Sequence, residues 1–181
     1  MDARRGTSTE DANYVYVVNT DGTMAVFNTL RAQQVAGWTK WETSGTIQAI
    51  TVEGTTVWFA VKRTINSATV YYLEKADADT YTDANKSQTQ SSSVTVSNLA
   101  HLNGQSCRVR ADGAIMADAT PSSGSITLAR AGVAVEVGLD YDVTIKTMPI
   151  TSTFGDGSIL TNYKRVIRVV ADMYESLGVY V

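Results

Sequence analysis

The sequence predicts a mostly β protein: an antiparallel β-meander of partial propeller-like blades, followed by a small β-barrel or sandwich. The first observation is composition, since 24 Thr and 21 Val make up about a quarter of the 181 residues. β-Branched side chains suit a pleated, half-buried surface. The second is that short apolar runs alternate with tight polar turns, with only 2 Pro in the chain. The third is that 44% hydrophobic and 18% charged residues suffice for a buried core and exclude a disordered chain.

The first hairpin is the clearest local signal. Residues 1–12 are polar and predict a disordered lead. An apolar run at 14–18 then meets Asp21-Gly22, and a second run follows at 23–27. Asp-Gly between two β-rich runs favours a tight hairpin, because the turn needs a positive φ that Gly adopts without strain.

A second hairpin and a third strand follow. Residues 47–52 and 56–61 flank a turn at Glu53-Gly54, and 68–74 form the next run. Between the hairpins, Trp38 and Trp41 fit either one face of a helix or a strand bend, and the neighbouring strands favour a strand. Six strands in residues 13–75 correspond to one four-stranded blade of about 40–45 residues and part of another. An incomplete set of blades leaves an edge unpaired and a face unburied, which predicts part of a larger assembly.

The second half predicts a linker, a second β unit and a terminal segment. Residues 76–93 are polar and predict an exposed linker. Residues 94–150 predict a small antiparallel barrel or sandwich with strands at 106–111, 125–128 and 133–139. Residues 151–181 predict a loop and one or more terminal strands that complete a larger sheet. The pattern at 164–174 also fits a helix, but its β-branched residues favour a strand.

The side chains that carry chemistry are few. His101 lies in an apolar stretch beside a turn and Cys107 on an expected strand, so we interpret both as structural. The spacing of Asp77, Asp79 and Asp83 fails the EF-hand pattern for calcium. Asp140 and Asp142 form the one carboxylate pair that a glycosidase would need, and two solvated loop carboxylates explain them better. We therefore predict no enzyme, no metal and no cofactor.

The charge distribution argues against a nucleic-acid module. The net charge is −3 and the 15 Lys and Arg are scattered, whereas such modules concentrate basic residues on one face. The densest groups are Lys62-Arg63, Arg108 with Arg110, and Lys164-Arg165 with Arg168. We interpret each as a solvated strand face. No apolar run approaches the ~20 residues of a membrane span and no secretion signal is seen, so we expect no membrane anchor.

Aromatic side chains provide the one candidate interaction surface. Its members are Trp38, Trp41, Trp58, Tyr71 and Tyr72. Such rings could stack on sugars or bases, but we favour packing in a core or a protein interface as their explanation.

The order of these motifs resembles one family, the tail nozzle proteins of short-tailed bacteriophages (tail tubular protein B, or stabilisation protein), over residues 13–181. The first half contributes YVYVVNTDGTMAV at 14–26, QVAGWTKW at 34–41, VWFAVKRTIN at 57–66 and VYYLE at 70–74. The second half contributes LAHLNGQ at 99–105, ADG at 111–113, GSITL at 124–128, VGLDY at 137–141, KRVIRV at 164–169 and YESLG at 174–178.

The resemblance implies a structural virion component without catalytic residues. Family members assemble with copies of themselves into a ring, typically a hexamer, below the portal and its adaptor. DNA passes through the channel without specific binding. The expected location is the virion tail, after synthesis in the bacterial cytoplasm. The alternative is a β-rich carbohydrate-binding or cell-surface adhesion module that uses the aromatic residues, and a glycosidase is a more distant third.

Overall fold

A computed structural model of the chain describes residues 1–8, 11–146, 153–154, 157–158, 165, 167–170 and 172. The chain divides into two units, Met1–Tyr141 and Asp142–Val181. The mostly β, antiparallel fold class is confirmed. The strands are β1 Asp2–Arg4, β2 Asn13–Val18, β3 Met24–Leu30, β4 Val35–Trp41, β5 Thr46–Glu53, β6 Thr56–Ile65, β7 Ala68–Lys75, β8 Asp83–Val96, β9 Cys107–Ala111, β10 Ala114–Ile115, β11 Ile126–Leu139, β12 Thr153–Phe154 and β13 Gly157–Ser158. Two single-turn 3-10 helices, Arg31–Gln33 and Ala100–Leu102, lie between them.

Sheet 1 is a four-stranded antiparallel meander in the order β1-β2-β3-β4. Its β2–β3 turn contains Gly22 at a φ of 84°. This is the left-handed conformation that the Asp-Gly pair predicts. The segment around Trp38 is a strand, as the neighbouring runs favoured, and it pairs with β3 over its whole length.

The expected disordered lead at 1–12 is wrong for residues 2–4, which form β1. Asp2 pairs with Tyr16 and Arg4 with Tyr14 across β2. The Asp2 carboxylate also accepts a hydrogen bond of 2.7 Å from the Val52 amide. The backbone hydrogen bonds and this carboxylate contact fix a segment whose polar composition gave no strand signal.

Sheet 2 is the three-stranded antiparallel meander β5-β6-β7. Gly54, at a φ of 61°, occupies the β5–β6 turn. Asn66 and Ser67 both have positive φ, at 49° and 61°, and make a two-residue β6–β7 turn of the kind that suits strand twist.

Sheets 1 and 2 enclose one core between them. Its buried members are Tyr16, Met24 and Val26 from sheet 1 and Ile47 and Val57 from sheet 2. The Ile47 amide donates to the carbonyl oxygen of Gly22 at 2.8 Å, so the first turn of sheet 1 is fixed against the start of β5. The two sheets thus pack on each other through one shared core.

Sheet 3 has the order β10-β9-β11-β8. It differs from the linker predicted at 76–93 and from the barrel or sandwich predicted at 94–150. Residues 83–93 of the predicted polar linker belong to β8, which pairs with β11 from Asp83 to Val96. The predicted strands at 125–128 and 133–139 are one strand, β11, with register shifts between Thr127 and Ala134. The sheet is open, with β10 and β8 as its edges, so residues 83–139 form no closed barrel. Its core contains Val96, Leu99, Leu102, Cys107, Val109, Ala111, Ile126, Leu128, Val135, Val137 and Leu139.

The second unit contains one described hairpin. Strands β12 and β13 pair antiparallel, with Thr153 opposite Ser158, where the sequence predicted a loop. The expected terminal strand at 164–174 lies largely outside the described residues, and its described positions 165, 167–170 and 172 are in neither helix nor strand. Within the described part of the chain, no helix has the length and apolar character needed to cross a membrane.

Candidate functional site

The outer face of sheet 1 carries mostly apolar side chains, with Lys40 opposite Ala25. Because side chains alternate along a strand, the register that turns Tyr16 and Val26 toward the core turns their neighbours away from it. These neighbours are Val15, Val17, Ala25, Phe27 and Trp38, which we call outer face 1. The Trp38 ring lies 5.0 Å from the Phe27 ring and is 63% exposed. Among the described residues, none of the five belongs to a buried core cluster.

The outer face of sheet 2 carries a group of apolar side chains as well, next to Lys62 and Lys75. Val57 and Val61 point to the buried side of β6, and the alternate positions pair with exposed residues of β7. Outer face 2 comprises Trp58, Ala60, Tyr71 and Leu73. Tyr71 is 68% exposed and Leu73 70% exposed, and none of the four belongs to a buried core cluster in the part of the chain described.

The pair of stacked sheets therefore carries an apolar face on each of its two outer sides. A large aromatic side chain offers about 150–250 Å² for burial. Covering the exposed part of Trp38 or Tyr71 would then contribute on the order of 2–4 kcal/mol each, at ~25 cal/mol per Å². Apolar patches of this kind mark sites where another molecule docks.

The five aromatic residues singled out in the sequence are not brought together. Trp38 lies on outer face 1, whereas Trp58 and Tyr71 lie on outer face 2. Trp41 points to the core side, with its ring at 6.1 Å from Tyr16. Tyr72 also points inward and meets the His101 ring edge-on at 6.4 Å. The arrangement offers two separate faces rather than one stacking platform for a sugar chain.

The interpretation of Lys62-Arg63 as a solvated strand face is wrong for Arg63. Lys62 is exposed as expected, but Arg63 is only 2% exposed. Its guanidinium donates to both carboxylate oxygens of Glu74, at 2.6 and 2.7 Å, and to the Ser44 carbonyl oxygen at 2.8 Å. Asp83, at the start of β8, lies 3.4 Å away. Arg63 thus joins sheet 2 to the first residue of sheet 3 through a buried ion-pair network.

His101 lies where sheet 2 meets sheet 3, between Tyr72 of β7 and Ala84 of β8. Its Nε2 lies 3.0 Å from the Ala84 carbonyl oxygen, which can only accept, so Nε2 carries a proton and donates it. Burial lowers the pKa of His101. Gln105 adds a hydrogen bond from its side-chain amide to the Thr64 carbonyl oxygen at 3.1 Å. These contacts give His101 a structural role, as its sequence context suggested.

Cys107 is fully buried in the core of sheet 3, which confirms its interpretation as a small hydrophobic residue. Burial raises the pKa of its thiol to about 11. Its sulfur lies 3.6 Å from the Gln105 carbonyl oxygen. Because the thiolate is the nucleophilic form, this cysteine is unreactive near neutral pH.

Three of the five carboxylates that suggested chemistry, Asp77, Asp83 and Asp140, contact cations or backbone amides. Asp77 lies 3.5 Å from the Lys75 ammonium and accepts a hydrogen bond from the Asp79 amide, whereas Asp83 faces Arg63. Arg108 donates to Asp140 at 2.7 Å, and this hydrogen bond lowers the pKa of Asp140. A general acid of a glycosidase needs a raised pKa instead. Among the described residues, no three His, Cys, Asp or Glu side chains converge on a metal position.

A cleft of about 450 Å³ lies on sheet 3. Two of its lining residues, Arg110 and Glu136, are held in place. Arg110 stacks over the Tyr81 ring at 4.5 Å. Glu136 accepts hydrogen bonds from the Tyr81 amide at 2.7 Å and the Thr82 hydroxyl at 2.9 Å. These contacts secure the Tyr81–Thr82 turn to sheet 3.

A scan against known protein families finds none that matches this chain, and a search of curated proteins finds none significantly similar to it.

Proposed function

We propose that this chain is a structural module of a bacteriophage tail nozzle, below the portal, that helps to form the channel for genome passage. It acts in the virion tail by docking on other copies of itself and on the portal, the adaptor and other tail proteins. It performs no catalysis, and DNA passes it without specific binding. The order of sequence motifs suggests the family, and the observation that carries an assembly role is the pair of apolar outer faces.

The position of these faces favours a ring. Outer face 1 and outer face 2 lie on opposite sides of the stacked sheets and consist of different residues. A contact between face 1 of one copy and face 2 of the next is head-to-tail, and repeated head-to-tail contacts close into a ring or extend into a filament. Inside each chain, sheets 1 and 2 already pack by their apolar inner faces, and the contact between copies would repeat that mode.

The charged groups near these sheets are consistent with a structural role. Arg63, the least exposed cation of sheet 2, has its donors occupied by Glu74 and the Ser44 carbonyl oxygen. Lys62, opposite Tyr71, and Lys75, opposite Trp58, lie on outer face 2 itself, but two lysines do not make the continuous basic track that a DNA-binding surface needs.

The location in the particle is tested by immunogold electron microscopy. Antibodies raised against this chain are applied to tailed particles purified from the source culture, and we expect gold at the tail, next to the head. Particles that lack this chain by mass spectrometry, or gold placed on the capsid, would overturn the proposal.

A paired substitution tests the mode of action. Leu73→Asp puts a charge on outer face 2, opposite Ala60, and should abolish particle production in a phage that carries it. Ile115→Asp is the matched control, since Ile115 is 57% exposed but lies on β10, away from both outer faces. Equal particle yields from the two variants would contradict docking through outer face 2.

A further inference from the structure

Strand β4 is an open edge. Among the described residues it is the last strand of sheet 1 and pairs only with β3, without a register shift over seven residues. Every residue from Val35 to Trp41 is exposed. Proteins usually protect such edges with proline, bulges or several charges, whereas β4 has a single charged residue, Lys40, and no proline.

The sequence of β4 is complementary to itself. In an antiparallel pairing centred on Trp38, Val35 faces Trp41 of the second copy, Ala36 faces Lys40 and Gly37 faces Thr39. A large residue then meets a smaller one at each flanking position. The two lysines do not oppose each other, and the two Trp38 rings form an aromatic cross-strand pair, which stabilises sheets. Paired positions are either both even-numbered or both odd-numbered. The free backbone amides of one strand therefore lie opposite the free carbonyl oxygens of the other.

We propose that β4 pairs antiparallel with β4 of a second copy of this chain, about a two-fold axis at Trp38. The pairing joins two four-stranded sheets into one continuous sheet and adds about six to eight backbone hydrogen bonds. It goes beyond the proposed function, because an isologous two-fold contact is not part of a ring built from head-to-tail contacts. Because it is isologous, it closes as a dimer and is distinct from the head-to-tail contact of the outer faces.

The size of the edge sets the expected affinity. The exposed fractions of Val35, Trp38 and Trp41 are 48%, 63% and 40%, which together expose roughly 300 Å² per copy. The total buried area then stays below the ~1,200 Å² of stable complexes. We expect a weak dimer, with a dissociation constant of about 10–500 μM.

The register is tested by charge complementation in the isolated chain. Sedimentation equilibrium from about 5 to 500 μM measures the association of the wild type, of Trp38→Lys and of Trp38→Glu. Each variant alone places like charges directly opposite each other and should associate at least tenfold more weakly than the wild type. An equimolar mixture places Lys opposite Glu and should recover association to within about threefold of the wild type. Ile115→Lys, on the edge strand β10, is the matched control and should leave association unchanged.

The outcomes separate this inference from the proposed function. A wild type that stays monomeric throughout, a Trp38→Lys variant that associates normally, or a mixture without recovery overturns the β4 pairing. Because a misfolded variant cannot recover association on mixing, the mixture also controls for folding. Immunogold labelling of the tail would still stand if the pairing failed, and a dimer in solution would still stand if the labelling failed.

Discussion

Replacing Arg63 with methionine should lower the free energy of unfolding by about 3 kcal/mol. Methionine fills much of the same volume but leaves Glu74, Asp83 and the Ser44 carbonyl oxygen without their common donor. Removing one partner of a buried ion pair typically costs 3–5 kcal/mol. The low end applies here, because the Glu74 and Asp83 side chains are 20% and 23% exposed, so water partly relieves the unpaired charges.

Urea unfolding followed by circular dichroism measures this change. With a slope near ~2 kcal/mol per M, the midpoint should fall by about 1.5 M. Lys62→Met is the matched control, since Lys62 is the adjacent residue of the same strand but is exposed, and it should change stability by no more than about 0.5 kcal/mol. Adding Glu74→Gln to Arg63→Met should recover about 1 kcal/mol, because a neutral amide needs no cation.

Equal effects of Arg63→Met and Lys62→Met would refute this reasoning. So would a double variant less stable than Arg63→Met alone, since that result would mean that Glu74 does not depend on Arg63. Either result would remove the ion-pair network as the reason that sheet 2 holds the start of β8.

Three further predictions concern single residues. Because burial lowers the pKa of His101, the folded state favours the neutral ring; wild-type stability should fall as the pH drops below about 6.5, and His101→Gln should flatten this dependence in urea titrations. Because the pKa of Cys107 is about 11 and its side chain is buried, a thiol reagent at pH 8 should react at least 100-fold more slowly with the native chain than with the chain in urea. Gly138→Ala should cost about 2 kcal/mol or more, since its Cβ would lie 2.4 Å from Thr82 Oγ1 and 2.7 Å from the Asp83 carbonyl oxygen; Gly37→Ala, with nothing within 4 Å, is the control and should be nearly neutral by calorimetry.

The local turns could be predicted from the sequence because their chemistry is local. Asp21-Gly22 and Glu53-Gly54 place a glycine where the chain needs a positive φ, and the flanking apolar runs identify both strands. Asp112-Gly113 and Ser123-Gly124 also adopt positive φ, so their turns have the same local cause. The strand at 35–41 followed from its neighbours rather than from its own pattern.

The polar strand β8 could not be predicted because its stability comes from its partner. Of its 14 residues only Val96 is buried, so no apolar alternation marks it, and its Ser, Thr and Gln residues are typical of a linker. The register with β11 supplies the backbone hydrogen bonds that fix it. Arg63 was missed for a related reason: its burial depends on Glu74 and Asp83, which are 11 and 20 residues away in sequence.

The sequence contains a sign of the outer faces that a search for alternating apolar and polar residues does not detect. The run Tyr14 to Val18 is continuously apolar, which is typical of a strand covered on both faces. Tyr16 lies on the inner side, which the core covers. Val15 and Val17 lie on the outer side and belong to no core cluster among the described residues. The continuous run is therefore what a docking module needs: one apolar face for its own core and another for a neighbour.

Hydroxyl-radical footprinting of the isolated chain and of purified tailed particles tests the central claim most directly, because it measures which side chains assembly covers. Trp38 and Tyr71, which are 63% and 68% exposed in the chain, should be oxidised readily in isolation and at least fivefold more slowly in the particle. The exposed Ile115 on β10 reports whether the particle shields this chain as a whole. Equal oxidation of Trp38 and Tyr71 in both samples would contradict a function based on apolar sheet faces.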